Sequence, residues 1–474
     1  MINAIELDNV TFSYGHDQPY VLKNAGMTVC YGEIALLSGT SGEGKSTVIS
    51  LVTGIAPNIV PGVFSGLVAV DGQNVSGKRV SEICRNVGVV LQNAEEQIIH
   101  RTVEEEIAFG CENMAYPVWE IEKRIDYACK LMSLSPSALA SKLSGGQKQR
   151  LMTACALGTG QRILVLDEPL ANLDRQGALL LMRTLKELAG EGYAVLIAEH
   201  RLDVIMPYVD SVWSIKDGRI IKARDKDSYL RENSLEIPDG LGLPKKRDMA
   251  IRANDVTYCA GNRAIIDGLN LELFRGERLL MLGENGSGKT TLMRLLAGLN
   301  KPQPGNIEQF IIPSKRAYIP ADRRWFKEVG VVYQNPSYQL FMPTVEEEVA
   351  YGAKSRAYAE EMLKRFDIVH LRSRHPHSLS QGQKRRVSIA AVAASQPQIL
   401  FLDEPTVGQD YAGLKSLTET LNQLHAETGG AVVTITHDIR CAAALCDRSV
   451  ILKSGKIHES GGKELARRYL SGEV

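Results

Sequence analysis

Two glycine-rich segments of the chain have the residue types and spacing of a phosphate-binding loop, GTSGEGKS at 39–46 and GENGSGKT at 283–290. Their glycines allow backbone N–H groups to wrap around phosphate oxygens, and the helix that follows presents its positive end to the same charges. The lysine of each loop is placed to reach the β- and γ-phosphates of a nucleotide, and the next hydroxyl to bind Mg²⁺. Each loop follows an apolar, strand-like run and precedes a helical pattern, so we predict two ATP sites.

An apolar run that ends in two acids follows each loop along the chain, ILVLDE at 163–168 and ILFLDE at 399–404. Such a run is typical of a parallel strand buried on both faces, and ligand sites form where these strands end. The aspartates, Asp167 and Asp403, suit Mg²⁺ or its water, and Glu168 and Glu404 suit a general base that polarises the attacking water. The loop residues predicted to bind ATP and Mg²⁺ are Gly39, Thr40, Ser41, Gly42, Gly44, Lys45, Ser46, Thr47, Gly283, Asn285, Gly286, Gly288, Lys289, Thr290 and Thr291.

The chain contains an internal repeat, which predicts two domains of about equal length. At 474 residues it exceeds one hydrophobic core, and two domains of about 230 residues fit the usual domain size. We predict one domain at 1–224, a second at 249–474, and a linker at 225–248, where charges, prolines and glycines break any hydrophobic period. Alternating strands and helices around each loop predict an α/β core. The groups that recur in order are Gln92, Ser144, Asp167 and His200, then Gln334, Ser380, Asp403 and His437.

Composition excludes several classes of protein. Lys plus Arg and Asp plus Glu are both 55, so the overall charge offers no case for nucleic acid as a partner. No apolar run approaches the roughly 18 residues that a membrane helix needs. The N-terminal segment MINAIELDNVTF has no apolar signal region, which predicts residence in the cytoplasm. The eight cysteines include no Cys-x-x-Cys pair, so we expect neither a zinc site nor an iron–sulfur cluster.

Two short segments, LSGGQ at 143–147 and LSQGQ at 379–383, resemble the signature of the ATP-binding cassette (ABC) superfamily. In the second, Gln381 stands where glycine is commonest. The resemblance implies two P-loop ATPase domains in tandem, each with an α/β core and a helical subdomain, here about 100–155 and 342–391, that carries the signature. It also implies a pseudo-dimer in which each ATP is clamped by one domain's phosphate loop and the other's signature. The signature residues that would contact phosphate are Ser144, Gly146, Gln147, Ser380, Gly382 and Gln383.

The same resemblance implies roles for three further pairs. Gln92 and Gln334 would act at Mg²⁺ and the attacking water, and His200 and His437 would contact the γ-phosphate. Tyr14 and Tyr258 would stack on adenine, although packing in the core is an alternative for both. The loops ANLD at 171–174 and VGQD at 407–410 resemble the family's D-loops, the second departing from the usual pattern. Because both halves keep the glutamate and the histidine, we expect both sites to hydrolyse ATP.

A segment after each glutamine indicates which branch of the superfamily the chain resembles. QNAEEQ at 92–97 with TVEEEIAFG at 102–110, and QNPSYQ at 334–339 with TVEEEVAYG at 344–352, resemble the ATPases of energy-coupling factor (ECF) transporters, which take up vitamins and transition-metal ions. The resemblance implies a peripheral protein on the cytoplasmic face of the membrane. Residues 92–101 and 334–343 would contact a transmembrane coupling protein, with a small membrane substrate-binding protein as the further partner.

Two other readings stay open. Soluble tandem cassette proteins that act on ribosomes also carry two cassettes, but a long charged helical linker joins theirs, and 225–248 is short and broken by Pro and Gly. The tandem ATPase of a sugar importer usually has one degenerate half, whereas both halves look intact here. The blocks around Gln97 and Gln339 favour the ECF interpretation over either.

Overall fold

The computed structural model describes residues 2–40, 42–92, 94–171, 173–233, 248–261, 263–311, 323–438, 442 and 444–473, and the backbone alone at 317–318. The chain divides into two compact units, residues 1–234 and 235–474, called the first and second halves below. Ser41, predicted to bind phosphate, and residues 234–247 of the predicted linker lie outside the described residues.

The strands of the first half form two sheets. A four-stranded antiparallel sheet has the order β2-β1-β4-β5, and a six-stranded sheet has the order β10-β9-β3-β8-β7-β6, with all neighbours parallel except β9 and β10. The strands are β1 (Asn3–Ser13), β2 (Leu22–Cys30), β3 (Ile34–Ser38), β4 (Val63–Val70), β5 (Gln73–Asn74), β6 (Val87–Val90), β7 (Ile163–Asp167), β8 (Ala194–Ala198), β9 (Ser211–Lys216) and β10 (Arg219–Lys222).

Along the chain, most helices of the first half connect one strand of the six-stranded sheet to the next. They are α1 (Lys45–Val52), α2 (Ile55–Asn58), α3 (Val80–Ile83), α4 (Ala94–Gln97), α5 (Val103–Asn113), α6 (Val118–Leu131), α7 (Gly145–Gly158), α8 (Arg175–Gly190), α9 (Leu202–Ile205) and α10 (Lys226–Glu232), with a 3-10 turn at Ala140–Lys142.

The second half repeats both sheets, with orders β12-β11-β14-β15 and β16-β17-β18-β13-β19-β20. The strands are β11 (Met249–Ala260), β12 (Arg263–Phe274), β13 (Arg278–Leu282), β14 (Asn306–Gln309), β15 (Ala317–Tyr318), β16 (Val329–Val332), β17 (Ile399–Asp403), β18 (Ala431–Ile435), β19 (Arg448–Lys453) and β20 (Lys456–Gly461). The helices are α11 (Lys289–Leu296), α12 (Trp325–Glu328), α13 (Val345–Tyr351), α14 (Arg356–Arg365), α15 (Gln381–Ala393), α16 (Tyr411–Thr428) and α17 (Lys463–Ser471), with 3-10 turns at Pro336–Tyr338, Val369–Leu371 and Pro376–Ser378.

Alternation along the parallel strands explains why they are apolar throughout. In β3, Leu36 belongs to the core shared with the helices, and its neighbour Leu37 belongs to the core shared with the antiparallel sheet. Leu164 and Val165 of β7 divide in the same way. Because both faces are covered, no position in β3, β7 or β8 tolerates a polar side chain until the strand ends. The predicted α/β core is confirmed.

The helical subdomain lies between β6 and β7 in the first half, where α5, α6 and α7 pack together, and between β16 and β17 in the second, where α13, α14 and α15 do so. This agrees with the predicted ranges of about 100–155 and 342–391. Among the described residues, no helix has the length and apolar character required to cross a membrane.

Helix α10 lies inside the segment predicted as a linker. Its start is capped by Asp225, whose Oδ2 accepts from the Ser228 N–H at 2.8 Å. Tyr229 and Leu230 then pack against the core of the first half. A cap and two adjacent apolar residues give no hydrophobic period, so only the tertiary contact reveals that this part of the segment belongs to the first half.

Candidate functional site

Both phosphate loops lead from a buried central strand into a helix. Gly44 and Gly288 are the N-cap residues of α1 and α11, with φ of 109° and 105°. A Cβ at Gly44 would approach Val21 Cγ1 to 2.9 Å, and one at Gly288 would approach Ile266 Cδ1 to 2.8 Å. Positive φ and lack of space both require glycine at this position. The N-terminus of each helix therefore opens onto the loop without a side-chain cap, as an anion site requires.

The lysine of each loop is folded back into it. Lys45 Nζ donates to the carbonyl oxygens of Gly39 and Thr40 at 2.7 and 3.0 Å. Lys289 Nζ makes the equivalent two bonds in the second loop, at 2.6 and 3.0 Å. Both lysines are buried. An ammonium group is thereby held within the curve of each loop, where it can meet phosphate oxygens.

The hydroxyl after each lysine reaches the acid at the end of the neighbouring strand. Ser46 Oγ donates to Asp167 Oδ2 at 2.9 Å, and Thr290 Oγ1 donates to Asp403 Oδ2 at 2.9 Å. Burial, reinforced by the charge of Glu168, raises the pKa of Asp167 to about 6, and burial raises the pKa of Asp403. A divalent cation would restore the ionised form of these carboxylates. Hydroxyl and carboxylate oxygens are the donors that Mg²⁺ prefers, so both groups fit that ion.

Glu168 in the first half is bonded by two side chains that the sequence had assigned to the same site. Gln92 Nε2 donates to Glu168 Oε2 at 2.8 Å, and His200 Nε2 lies 3.4 Å from Glu168 Oε1. Burial alone would raise the pKa of Glu168, but the bond to His200, its charge and the bond to Gln92 together lower it. The amide oxygen of Gln92 remains available to a metal ion while its nitrogen holds the carboxylate.

Glu404 in the second half has a different set of contacts. His437 Nε2 lies 3.5 Å from Glu404 Oε1, and the His437 N–H donates to Glu404 Oε2 at 3.4 Å. Burial and the charge of Asp403 raise the pKa of Glu404 to about 7. The Gln334 side chain is exposed, and within the described residues it makes no bond to Glu404. Both glutamates adopt left-handed backbone, with φ of 49° for Glu168 and 50° for Glu404, a strain of the kind found at functional positions.

The residues beside the first histidine form contacts that were not predicted. Glu199 Oε2 accepts from the Leu170 N–H at 3.0 Å, and Arg201 Nη1 donates to the carbonyls of Leu170 and Leu173 at 3.1 and 2.9 Å. The histidine loop is thus tied to the D-loop. A glutamate directly after a buried strand was the available signal, but its partner is 29 residues away in the chain.

The segments before the D-loop and the histidine of the second half share a hydrogen bond of 2.8 Å between Thr406 Oγ1 and Thr436 Oγ1, and the D-loop is also tied to the signature helix. Gln409 Nε2 donates to the Gly382 carbonyl at 2.8 Å, and Arg386 Nε donates to Gln409 Oε1 at 3.0 Å. A Cβ at Gly382 would approach the Gly408 carbonyl oxygen to 2.2 Å, so this loop and the signature are in close contact. The unusual D-loop sequence noted above therefore has a structural partner.

Each signature serine begins a long helix. Ser144 and Ser380 are the N-caps of α7 and α15, and each forms a capping box with the glutamine three residues later, Gln147 or Gln383. Both serines are exposed. Within the described residues, no hydrogen bond joins either serine to the phosphate loop of its own half. The structure assigns the glutamines a capping role, and contact of the signature with phosphate stays a prediction.

The two tyrosines differ in their surroundings. Tyr14 is exposed, packs edge-on against Phe12 with ring centroids 5.0 Å apart, and shares a hydrogen bond of 2.8 Å with Thr47 Oγ1. Tyr258 packs against the core of the second half. Tyr14 is therefore placed beside the phosphate loop, whereas Tyr258 also serves the packing that was kept as its alternative.

The segment after each glutamine loop is held by a glutamine and a buried glutamate. Gln97 Oε1 accepts from the Leu91 N–H at 3.0 Å, and Gln339 Oε1 from the Tyr333 N–H at 2.8 Å. The buried Glu106 accepts from two successive main-chain N–H groups, those of residues 99 and 100, at 3.0 and 2.6 Å. Glu348 accepts from those of residues 341 and 342, at 2.8 Å each. The sequence did not assign a role to either glutamate.

These anchors present apolar side chains to solvent at equivalent places in both halves. Ile99 is 64% exposed and Phe109 40%, and their counterparts Phe341 and Tyr351 are 63% and 69% exposed. The rings of Phe341 and Tyr351 meet edge to face, with centroids 5.2 Å apart. A hydrogen-bonded segment with exposed apolar residues has the character of a contact surface. We call these four residues the apolar contact positions.

Comparison with known proteins gives a family match in both halves. A family model described as "ABC transporter" matches residues 22–171 and 266–407. A Methanosarcina acetivorans protein provisionally named an ABC transporter ATP-binding protein is 31% identical, with 96% of this chain and 85% of the relative covered. A Bacillus subtilis protein provisionally named an HMP/thiamine import ATP-binding protein is 31% identical, with 96% of this chain and 90% of the relative covered.

Solved structures with two such halves share the fold. A chain in the structure of ribosome-bound archaeal Pelota and ABCE1 has a TM-score of 0.74 at 20% identity and covers 98% of this chain and 80% of its own length. The RNase-L inhibitor has a TM-score of 0.68 at 22% identity, with 98% and 92% covered. At these identities the likeness concerns the fold alone.

Proposed function

Since this chain belongs to the ABC transporter family, we propose that it is the ATP-binding and ATP-hydrolysing subunit of a membrane transporter of the energy-coupling factor type. Membership of the family implies hydrolysis of ATP, with Mg²⁺ as the usual metal. The transport role, the composite sites and the membrane partners are the parts proposed here.

The chemistry assigned to each half follows from its contacts. Lys45 and Lys289 would exchange their loop carbonyls for phosphate oxygens and offset the negative charge of the nucleotide. Mg²⁺, when bound, supplies charge neutralisation for the phosphates. The Ser46–Asp167 pair and the equivalent pair in the second half would hold it. Glu168 and Glu404 would accept a proton from the attacking water, with the adjacent histidines fixing the carboxylates.

We propose that each ATP is completed by the signature of the other half. Ser144 and Ser380 are exposed at helix N-termini, where a hydroxyl and main-chain N–H groups can bind a γ-phosphate. ATP would then favour a closed state of the pair, and hydrolysis would return it to the open state, because ATP binds the closed state more tightly. A membrane partner would move in response.

The observation that carries the transport role is the set of apolar contact positions. They occur at equivalent places in both halves and follow the glutamine loops, so a partner bound there would sense the state of each ATP site. Buried Glu106 and Glu348 hold the main chain beneath them, so the exposure is built into the segment. We propose a transmembrane coupling protein as the partner, which places this chain at the cytoplasmic face of the membrane as a peripheral protein.

The cargo would not contact this chain in such a scheme. The Bacillus subtilis relative is provisionally named for HMP/thiamine import, which supports a vitamin-type cargo over a metal ion. A small membrane substrate-binding protein would select it. Action on ribosomes has the support of a shared fold only, and a sugar importer has no further support.

The test is capture of tagged chain from gently solubilised membranes of its source, with mass spectrometry of the retained proteins. A polytopic coupling protein and a small membrane protein should be retained by the unmodified chain and lost with the double variant Ile99→Ser and Phe341→Ser. Trp119→Ser is the matched control, because Trp119 is also exposed, at 60%, but lies on α6 outside the segment. Recovery of ribosomal proteins without membrane proteins would reject the transport role.

A further inference from the structure

One buried arginine in the second half reaches three functional segments at once. Arg385 lies in α15, the helix that begins with the signature, and is 3% exposed. Its Nη1 donates to the Tyr333 carbonyl at 2.6 Å and lies 3.5 Å from the Asp403 carbonyl, and its Nη2 donates to the Gln334 carbonyl. The signature helix, the glutamine loop and the end of β17 are joined by this side chain.

The contacts of Arg385 offset part of the cost of burying its charge, and its Nε has no hydrogen-bond partner among the described residues. A guanidinium stays charged at neutral pH even when it is buried. A buried charge is stable only when it is paired and hydrogen-bonded. The planar fork of a guanidinium offers several donors in fixed directions, so the main chain at residues 333, 334 and 403 is held in one arrangement relative to the helix.

The first half has no buried arginine at the equivalent position. The equivalent residue is Gln149, which is fully buried and whose side-chain nitrogen and oxygen have no hydrogen-bond partner among the described residues. There the glutamine loop is held through its side chain, by the bond from Gln92 to Glu168. The two halves therefore fix the same loop by different means.

We propose that Arg385 is a positioning residue for the metal-binding side of the second ATP site. It holds the main chain of Gln334 and Asp403, two of the three residues assigned to Mg²⁺ in that half, so that their side chains start from fixed positions. The Gln334 side chain is then free of Glu404 and available to the metal. The inference rests on the ATP-hydrolysing part of the proposed function and is independent of the transport role.

The experiment measures the number of metal ions bound by the full-length chain and the affinity of each. Mn²⁺ is titrated in the presence of a non-hydrolysable ATP analogue and followed by electron paramagnetic resonance, for the unmodified chain, Arg385→Gln and Arg385→Lys. Arg372→Gln is the control, since Arg372 pairs with Glu346 on the surface of the same subdomain. Glutamine at the equivalent buried position of the first half argues that Arg385→Gln will fold. Binding of a fluorescent ATP analogue in excess EDTA measures nucleotide affinity without metal.

We expect two bound Mn²⁺ in the unmodified chain and a loss of about 10-fold or more in the affinity of one of them in Arg385→Gln, the size typical for partners of metal ligands. Arg385→Lys should lower the same affinity by less, because the lysine keeps the positive charge and its single nitrogen can still donate to part of the set of three carbonyls. This variant carries the test if Arg385→Gln does not fold. Nucleotide affinity in EDTA and the Arg372→Gln titration should be unchanged.

Turnover assigns the effect to a site. With Glu168→Gln in the background, Arg385→Gln should raise the Mg²⁺ concentration for half-maximal ATPase by a similar factor, and with Glu404→Gln it should not. Unchanged Mn²⁺ affinities, equal weakening of both, or an equal loss of metal-free nucleotide binding would each overturn the proposal. If the unmodified chain hydrolyses no ATP, the proposed function fails, and the Mn²⁺ titration still decides the role of Arg385.

Discussion

The two halves carry the same catalytic groups and hold them differently. In the first, Gln92 and His200 both contact the glutamate, and Arg201 ties the histidine loop to the D-loop. In the second, Arg385 holds the glutamine loop through its main chain, and Gln409 ties the D-loop to the signature helix. A duplicated site can thus keep its reacting groups while the contacts that position them diverge, because several neighbours can fix one loop.

The largest effect should come from the catalytic glutamates. Glu168→Gln or Glu404→Gln should each lower turnover at its own site by about 10²- to 10⁴-fold, the range for removal of a general base. The double variant should lose nearly all steady-state ATPase activity. If Glu404→Gln left turnover unchanged while Glu168→Gln abolished it, the expectation that both halves hydrolyse ATP would be wrong.

The two halves also differ at the start of their central strands, which predicts a large effect on stability. Arg278 and Asp447 form a buried pair, with Nη2–Oδ1 at 2.5 Å and Nε–Oδ2 at 3.1 Å. Arg278→Ala should cost about 3–5 kcal/mol, since it leaves a buried carboxylate without its partner. Unfolding in urea, followed by Trp325 fluorescence in a chain with Trp119 and Trp213 changed to Phe, reports the second half. A cost below about 1 kcal/mol would contradict the prediction.

An intermediate effect should distinguish the two glutamine loops. Gln92→Ala removes a hydrogen bond to the Glu168 carboxylate, and bonds to charged groups contribute about 1.5–3 kcal/mol. It should lower first-site turnover, measured in the Glu404→Gln background, by roughly 10- to 100-fold. Gln334→Ala, measured in the Glu168→Gln background, should cost less. Equal losses would mean that the Gln92 contact adds nothing to catalysis.

The smallest effect is expected where the first half replaces the buried pair by a surface one. Asp210, the counterpart of Asp447, pairs with Lys186 at 2.6 Å, and both side chains are well exposed. Lys186→Ala should cost less than about 1 kcal/mol, as is usual for exposed pairs. Urea unfolding followed by Trp213 fluorescence measures this change in the free energy of unfolding. A cost close to that of Arg278→Ala would remove the contrast between the halves.

Much of the site could be predicted because its parts are local in the chain. The phosphate loops, the acids that end β7 and β17, and the signature serines each combine a special residue with a recognisable element. The structure brings Ser46 to Asp167 and Gln92 to Glu168, as their shared assignment required. The ligands of these groups and the domain boundaries stay predictions.

The residues that sequence reasoning missed act through partners that residue type and spacing do not identify. Glu106 and Glu348 look like ordinary charged positions in helical segments, and only folding places them beneath the main chain of the preceding segment. Arg201 looks like a surface arginine after a histidine. Helix α10 was assigned to a linker because two apolar residues and a cap carry no period.

The sequence by itself determined the repeat, the α/β class and the reacting groups, because glycine spacing, apolar runs and terminal acids act through local backbone chemistry. Tertiary structure alone decided how each loop is held. Arg385 and Gln149 occupy equivalent helix positions. Arg385 binds carbonyls that folding brings from about fifty residues before it and eighteen after it, whereas the Gln149 side chain has no partner among the described residues. Hydrogen-bond partners of a buried side chain are set by packing geometry, which residue type and spacing do not specify.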